Sequence, residues 1–597
     1  RGQDQLEVIG RLKPGVSMEQ AKADLGSVAR GLAAQYADTN KWYTTARVIP
    51  QLEFQVGKTR PVLKVLFGAV ALLLLIACVN VAGLLLVRSS RRSGEIALRS
   101  ALGATRGEIV RQILVESLLL SMIGGLAGIA LSSVILKQLA VWFPQALPRL
   151  GDVSIDLPVL AFAMGISVVT GILFGVVPAL RTSSLAPALA LRDGTRTVTR
   201  GLGHHRLQTW LVIGETALGL VLLVGAGLLI RSFVSELRVD PGFDAHHVLT
   251  ARYTMPDAAY PHDRKIQFVE ELVARLNALP GVKQASAGWP MPMSGSDASI
   301  SFTVEGHPLA KADHPSESLG VMLPGYFETM RIPLIAGRTF NSMDKTTTTP
   351  VAIVDQAFAK KYFPGANPIG RHMTVDLGDD VVIHPVREIV GVVGDIKQLG
   401  LTADAAPHYY LPWTQAVITE PYLVLRTTGD PAALERAVKA TVASMDSNIP
   451  TYRLNPLEIY VAQAVAPARF QTLLLAAFAS IALLLAAVGL YGVLAYIVQQ
   501  RALEIALRLA VGAQRGDVLR MILKRGMTLA AIGVTAGLAI SFVVTRFITT
   551  LLYGVKPFDA LTFCAMSLVL LLVAFFASAA PAYRASQTDP MTTLRTQ

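Results

Sequence analysis

Glu95-Ile96-Ala97-Leu98-Arg99, followed by Gly103-Ala104-Thr105-Arg106-Gly107, returns later in the chain as Glu504-Ile505-Ala506-Leu507-Arg508 with Gly512-Ala513-Gln514-Arg515-Gly516. The offset is constant, and Ala127-Gly128 and Ala536-Gly537 keep it. Farther on, Pro178-Ala-Leu-Arg181 matches Pro581-Ala-Tyr-Arg584, Pro187 matches Pro590, and Leu191-Arg192 matches Leu594-Arg595. Two apolar helices resemble each other easily by chance. A shared polar loop followed by a shared tail does not, so the chain carries an internal repeat.

Each polar phrase lies between long apolar blocks. Charged residues make up 16% of the chain and hydrophobic ones 52%, whereas soluble proteins carry about 25% charged residues. The excess is concentrated in blocks at 62–87, 109–136, 157–178, 211–230, 472–498, 518–542 and 560–580. A block of about 20 apolar residues spans the hydrocarbon core as a helix. One such block could be a buried helix of a soluble core; this many in one chain imply an integral membrane protein.

The formal net charge of +12 would suggest nucleic acid as the partner of a soluble protein. Here the cations cluster at block ends, which sets topology and excludes that class. Arg88, Arg91, Arg92, Arg99 and Arg106 follow the first block, and Arg181, Arg192, Arg196, Arg200 and Arg206 the third. Arg501, Arg508 and Arg515 follow the fifth, and Arg584 and Arg595 lie in the tail. Alternating helices put all of these on one side, which the positive-inside rule makes cytoplasmic. The long region 233–467 falls outside. Cys78 and Cys564 both lie in apolar blocks, so no disulfide framework is expected.

The expected segmentation follows. Residues 1–60 are the end of a first outer domain, 61–180 a first repeat with three membrane helices, and 181–207 a cytoplasmic linker. A further helix takes 208–232 and a large outer domain 233–467. The second repeat takes 468–582, and 583–597 form a cytoplasmic tail. The chain opens at Arg1 without an initiator Met. Comparison of the halves predicts an eighth helix and a second outer domain upstream.

The repeated loop reads as structured. Residues 95–102 suit a short helix ended by Gly103, which takes the left-handed conformation cheaply. Thr105 and Glu108 form a capping box for the next helix; Gln514 and Asp517 replace them in the second copy. Orientation alone needs only Arg and Lys. Apolar residues kept in register with charged ones suit docking to a protein.

In the outer region, 265–279 carries a helical apolar stripe ended by Pro280-Gly281. Ser17 with Gln20 suits a capping box for a helix over 17–36, and Asp430-Pro431 the start of a helix over 430–445. Runs at 299–304, 351–354, 388–393 and 422–425 are β-rich. The domain is therefore α+β.

Several motifs are set aside. Gly57-Lys58-Thr59 lacks the upstream glycine of a phosphate loop, Leu52 standing in its place. His204-His205 and His246-His247 have no neighbours at metal-ligand spacing, and no catalytic centre can be assembled. Asn80, Glu116 and Glu215 are polar groups in apolar blocks and candidates by default. Gly489 matches Asn80 and Arg525 matches Glu116, which argues against a relay shared by both halves.

The pattern Glu-Ile-Ala-Leu-Arg…Gly-Ala…Arg between two membrane helices resembles the FtsX/MacB-type ABC permeases. The outer region adds Gly337-Arg-Thr-Phe340 with Asp344, Val351-Ala-Ile-Val-Asp355, Phe363-Pro-Gly365, Pro368-Ile-Gly370 and Gly391-Val-Val-Gly-Asp395, which resemble the MacB-like periplasmic core domain. The resemblance implies FtsX/MacB-like helices in two repeats and a MacB-like extracytoplasmic domain. It differs from the usual subunit in fusing two sets of helices, as in the duplicated permeases of acidobacteria.

The resemblance further implies a non-enzymatic permease subunit of a bacterial inner membrane, coupled to a separate ABC ATPase that binds the ATP. The ATPase-coupling residues are then Glu95, Ile96, Leu98, Arg99, Gly103 and Arg106, with Glu504, Ile505, Leu507, Arg508, Gly512 and Arg515. Further partners are membrane lipids and a periplasmic or outer-membrane protein, with no cofactor or metal held by this chain. Export of a substrate is the first functional expectation. Activation of a cell-wall hydrolase by transmitted motion is the second.

Overall fold

The computed structural model describes residues 8–37, 44–91, 105–142, 156–183, 202–256, 259–305, 315–376, 386–416 and 420–587. Its helices begin with α1 (Met18–Gln35), α2 (Gln51–Val56), α3 (Arg60–Arg91), α4 (Arg106–Trp142), α5 (Leu157–Ser183), α6 (Leu202–Leu237) and α7 (His262–Asn277). They continue with α8 (Tyr326–Met330), α9 (Gln356–Tyr362), α10 (Glu435–Met445), α11 (Leu457–Gln500), α12 (Ala502–Ala510), α13 (Arg515–Val544) and α14 (Ala560–Ser586). The chain divides into two compact units, Arg1–Gly57 with Glu236–Ala466, and Lys58–Ser235 with Pro467–Gln597.

The second unit holds the apolar helices. Among the described residues, six helices are long and apolar enough to cross a membrane, and α5 contributes the shorter apolar stretch Leu157–Ile172. A helix satisfies its own backbone, which hydrocarbon requires. Side-chain packing then decides how the helices meet, and small residues do so here. A Cβ placed on Gly175 of α5 would lie 3.0 Å from the Ser117 Cβ of α4. A Cβ on Gly526 of α13 would lie 3.0 Å from the Ser578 Cβ of α14. In repeat register Ser117 corresponds to Gly526 and Gly175 to Ser578. Both repeats thus build the same close contact with the two residues exchanged.

At the other end of this unit, Arg231 pairs with Asp559, and Asp559 caps α14 by accepting from the Thr562 N–H at 2.9 Å. Hydrogen bonds from Thr562, with Arg231 beside them, outweigh burial and hold the Asp559 carboxyl below the ordinary carboxylate range. The Tyr553 N–H donates to Ser232 Oγ at 2.7 Å, tying the α13–α14 connection to α6.

The first unit is α+β. Its strands are β1 (Val248–Tyr253), β2 (Val282–Trp289), β3 (Ser299–Val304), β4 (Ser316–Met322), β5 (Leu334–Gly337), β6 (Val351–Asp355), β7 (His372–Val375), β8 (Val386–Val393), β9 (His408–Pro412), β10 (Tyr422–Thr427) and β11 (Thr451–Pro456). They pair in the order β11-β1-β10-β2-β4-β3-β7-β8-β6-β9, with β5 on β8. Parallel pairing of β4 with β9 closes the latter part of this path on itself. The rings of Phe358 on α9 and Tyr409 on β9 pack against Phe302 of β3 in the buried core of this unit.

Local signals place several boundaries. Ser17 and Gln20 form their box at the start of α1, with bonds of 2.8 and 3.2 Å. The helix expected over 265–279 runs instead from His262 to Asn277. Pro261 fixes its entry, and the Asn277 side chain ends it by accepting from the Ala285 N–H of β2 at 2.8 Å. Asp430 does accept from a first-turn N–H, that of Ala432. The first turn is 3-10, Pro431–Leu434, and α10 starts only at Glu435. Asp355, fully buried, caps α9 through the Phe358 N–H at 2.7 Å and accepts the His408 N–H at 2.9 Å.

Two outcomes test this packing. Gly175→Leu should abolish monodisperse elution from detergent size-exclusion, whereas the exchange Ser117→Gly/Gly175→Ser should elute and melt as the parent does. Asp355→Ala loses a cap and strands the buried His408 N–H, a combined cost of about 2–4 kcal/mol. It should lower the denaturant midpoint of the β-rich domain, followed by its buried Trp413, and a parental midpoint would refute the assignment.

Candidate functional site

The second copy of the repeated phrase forms α12 and the turn after it. Gly512 adopts φ +104°. The Ala513 N–H donates to the Arg508 carbonyl at 2.9 Å and the Gly512 N–H to the Leu509 carbonyl at 3.2 Å. This is the Schellman pattern of a glycine-ended helix. The next helix begins at Arg515, and the Gln514 N–H donates to Asp517 Oδ2 at 3.1 Å. The segment is a fixed helix–turn–helix.

One face of α12 packs inward. Ile505 is 2% exposed and Ala506 fully buried, and Ile505 belongs to a buried apolar cluster that also holds Val212 and Ile213 of α6, Val493 and Ile497 of α11, and Val518 and Ile522 of α13. Three membrane helices thus contribute to the cluster that takes in Ile505. The other face carries Glu504, Leu507, Arg508 and Val511, at the i, i+3, i+4 and i+7 spacing of a single stripe. Leu507 is 49% exposed and Val511 88%. Arg508 donates to Glu504 Oε1 at 2.6 Å and reaches Met521 Sδ at 3.1 Å. Apolar and charged groups thus stand together on the exposed side of this helix.

The structure separates the expected coupling residues by role. Glu504, Leu507 and Arg508 share the outer stripe. Ile505 does not: it is the anchor that seats α12, since a residue one step from Glu504 turns about 100° around the helix. Gly512 ends the helix and Arg515 starts the next. Val511 joins the stripe, although sequence reading passed over it; the i+7 spacing from Glu504 was the available signal.

In the first repeat, Glu95, Ile96, Leu98, Arg99 and Gly103 lie outside the described residues. Arg106 opens α4, where the Thr105 N–H donates to Glu108 Oε2 at 2.8 Å, forming the expected box. Among the described residues no group of three or more His, Cys, Asp or Glu could hold a metal. His246 meets Glu458 at 2.7 Å, His247 meets the Gly429 carbonyl at 3.1 Å, and Gly57–Thr59 is a single 3-10 turn.

Family models match this division. The C-terminal region of FtsX-like permeases matches residues 67–187 and again 476–590, each including one copy of the phrase. The MacB-like periplasmic core domain matches 211–441. The chain belongs to the FtsX/MacB-type ABC transporter permeases. It is a multi-pass membrane protein with a MacB-like domain outside.

Among its curated relatives is the pyoverdine export ATP-binding/permease protein PvdT of Pseudomonas aeruginosa, 24% identical over 68% of this chain and 59% of that protein. The uncharacterized ABC transporter permease YknZ of Bacillus subtilis is 32% identical over 30% of this chain and 44% of its own. The chain thus spans about half the length of these relatives. The periplasmic region of MacB from Actinobacillus actinomycetemcomitans aligns with 38% of this chain and 95% of itself, at 13% identity and a TM-score of 0.27.

The two faces of α12 should respond differently to truncation. Ile505→Ala opens a cavity under the helix and should cost about 2–4 kcal/mol, whereas Leu507→Ala should cost under about 0.5 kcal/mol. Heat-induced loss of the monomer peak in detergent measures both, and equal losses would refute the inward and outward assignment.

Proposed function

We propose that this permease is driven by a separate ABC ATPase that docks on the cytoplasmic phrases of both repeats and binds the ATP itself. The observation that carries the proposal is the outer stripe of α12. It is exposed, charged and apolar together, and its helix is anchored through Ile505 in a buried cluster shared with α6, α11 and α13. A force applied there reaches three membrane helices at once.

The sequence repeat supplies a matching phrase, Glu95, Ile96, Leu98, Arg99, Gly103 and Arg106, so one chain offers two docking phrases to a pair of ATPases. The name of the Pseudomonas aeruginosa relative joins ATP-binding and permease functions to export. We carry export of a substrate from the bacterial inner membrane over to this chain. Motion of the helices drives the outer domain, which acts on the substrate or on a partner beyond the membrane.

Docking is tested by co-expressing the chain with an ABC ATPase and purifying the pair in detergent. Wild type should retain the ATPase. Leu98→Asp/Leu507→Asp should retain less than about a tenth of it, because a carboxylate replaces an apolar contact at the centre of each docking face, a loss of about 1.4 kcal/mol or more. Undiminished retention by the double variant would remove these phrases as the docking sites. If every ABC ATPase tried fails to stay with wild type, the coupled-permease reading itself fails.

A further inference from the structure

Asn80 of α3 and Gly489 of α11 occupy equivalent positions in the two repeats. They also meet in space. A Cβ on Gly489 would collide with Asn80 Oδ1 and with the Glu215 carboxyl of α6. Asn80 Nδ2 donates to Glu215 Oε1 and, at 3.1 Å, to the Leu485 carbonyl of α11. Asn80 is 8% exposed and Glu215 2%.

Around this contact lies a cavity of about 20 Å³, room for one water molecule. Val79, Asn80 and Gly83 line it from one repeat, and Val488, Gly489 and Gly492 from the other. The same three positions are used twice. Equivalent faces that meet in this way form an isologous contact, the kind that two copies make about a two-fold axis. Gln208, two turns before Glu215 on α6, also lines the cavity, 1% exposed and with neither end of its amide hydrogen-bonded among the described residues.

We infer that Glu215, held by Asn80 against Gly489, is a positioning residue that sets the register of one repeat against the other at their axis. Apolar helices slide past one another at little cost, since lipid replaces one leucine contact with another. A hydrogen bond from Asn80 to two different helices defines one register, because every other register leaves polar groups unpaired in an apolar bundle. Val212 and Ile213, less than a turn from Glu215, share a buried cluster with Ile505 of α12. The node therefore also fixes where the docking surface stands.

The register is read in the full chain without any ATPase. Cys78 and Cys564 are replaced by alanine, a protease site is placed within residues 184–201, and Gly83→Cys/Gly492→Cys is oxidised in detergent before the chain is cut. Linked fragments are expected in this parent and in Glu215→Gln, which still accepts the Asn80 hydrogen bond. Glu215→Leu and Asn80→Leu should lose the link tenfold or more while eluting as the parent does. Should either aggregate, Gly489→Ala decides, since its methyl displaces the carboxyl and should cause the same loss. Absence of linking in the parent, or parental linking in Glu215→Leu or Gly489→Ala, overturns the inference.

A second arm rests on the coupled-permease reading. With ATPase bound, Glu215→Leu should keep docking and lose most of the permease-stimulated hydrolysis, with Glu215→Gln restoring it. Stimulation unchanged in Glu215→Leu overturns the coupling role. Failure of the parent to bind ATPase leaves the cross-linking arm intact and condemns only the docking proposal.

Discussion

Inside a bilayer, lipid tails are as apolar as leucine, so burying leucine against leucine supplies little drive for helices to associate. Specific association must come from close approach and from polar contacts. The membrane unit uses both. Ser117 with Gly175, and Gly526 with Ser578, let helix backbones approach within each repeat. Asn80 and Glu215 supply the polar contact between repeats. At the end of the bundle, where water is near, the chain returns to familiar devices, the Arg231–Asp559 pair and the Asp559 cap.

The short helix α12 depends on the same constraint. α12 is nine residues long, too short to hold its own helical form in water. It persists because Ile505 and Ala506 are buried, Ile505 in a cluster shared with α6, α11 and α13, and because Gly512 closes its end. The exposed stripe is a consequence of that anchoring. A loop with the same charges and no anchor could set orientation but could not transmit force, since its motion would be lost in its own flexibility.

Much of this was legible in the sequence because it is local. The turn at Gly512, the boxes at Thr105–Glu108 and Ser17–Gln20, and the buried runs of β6 and β10 all follow from residues a few places apart. The apolar blocks are read from length alone. The inward direction of Ile505 was not legible, since a short amphipathic helix between two membrane helices shows apolar residues on both faces, and only the packed neighbours tell anchor from surface. The Asn80–Glu215 contact was harder still. It joins residues far apart in sequence, and the mismatch of Asn80 with Gly489 speaks only against a relay shared by both halves, not for a contact between them.

Fusion of the repeats changes what a contact at their axis can be. Two identical subunits meeting there must present the same residue from both sides, and two asparagines or two glycines would face each other. A duplicated chain is free of that rule. One side can keep an amide and the other can shrink to glycine, so that a side chain from a third helix fits between them. Asn80, Gly489 and Glu215 form such an arrangement, and the Ser117–Gly175 and Gly526–Ser578 contacts show the same freedom exercised within each repeat. A copy that has drifted at a paired position has therefore not lost its role there. The two halves of the chain have divided between them what a symmetric dimer would have to supply twice.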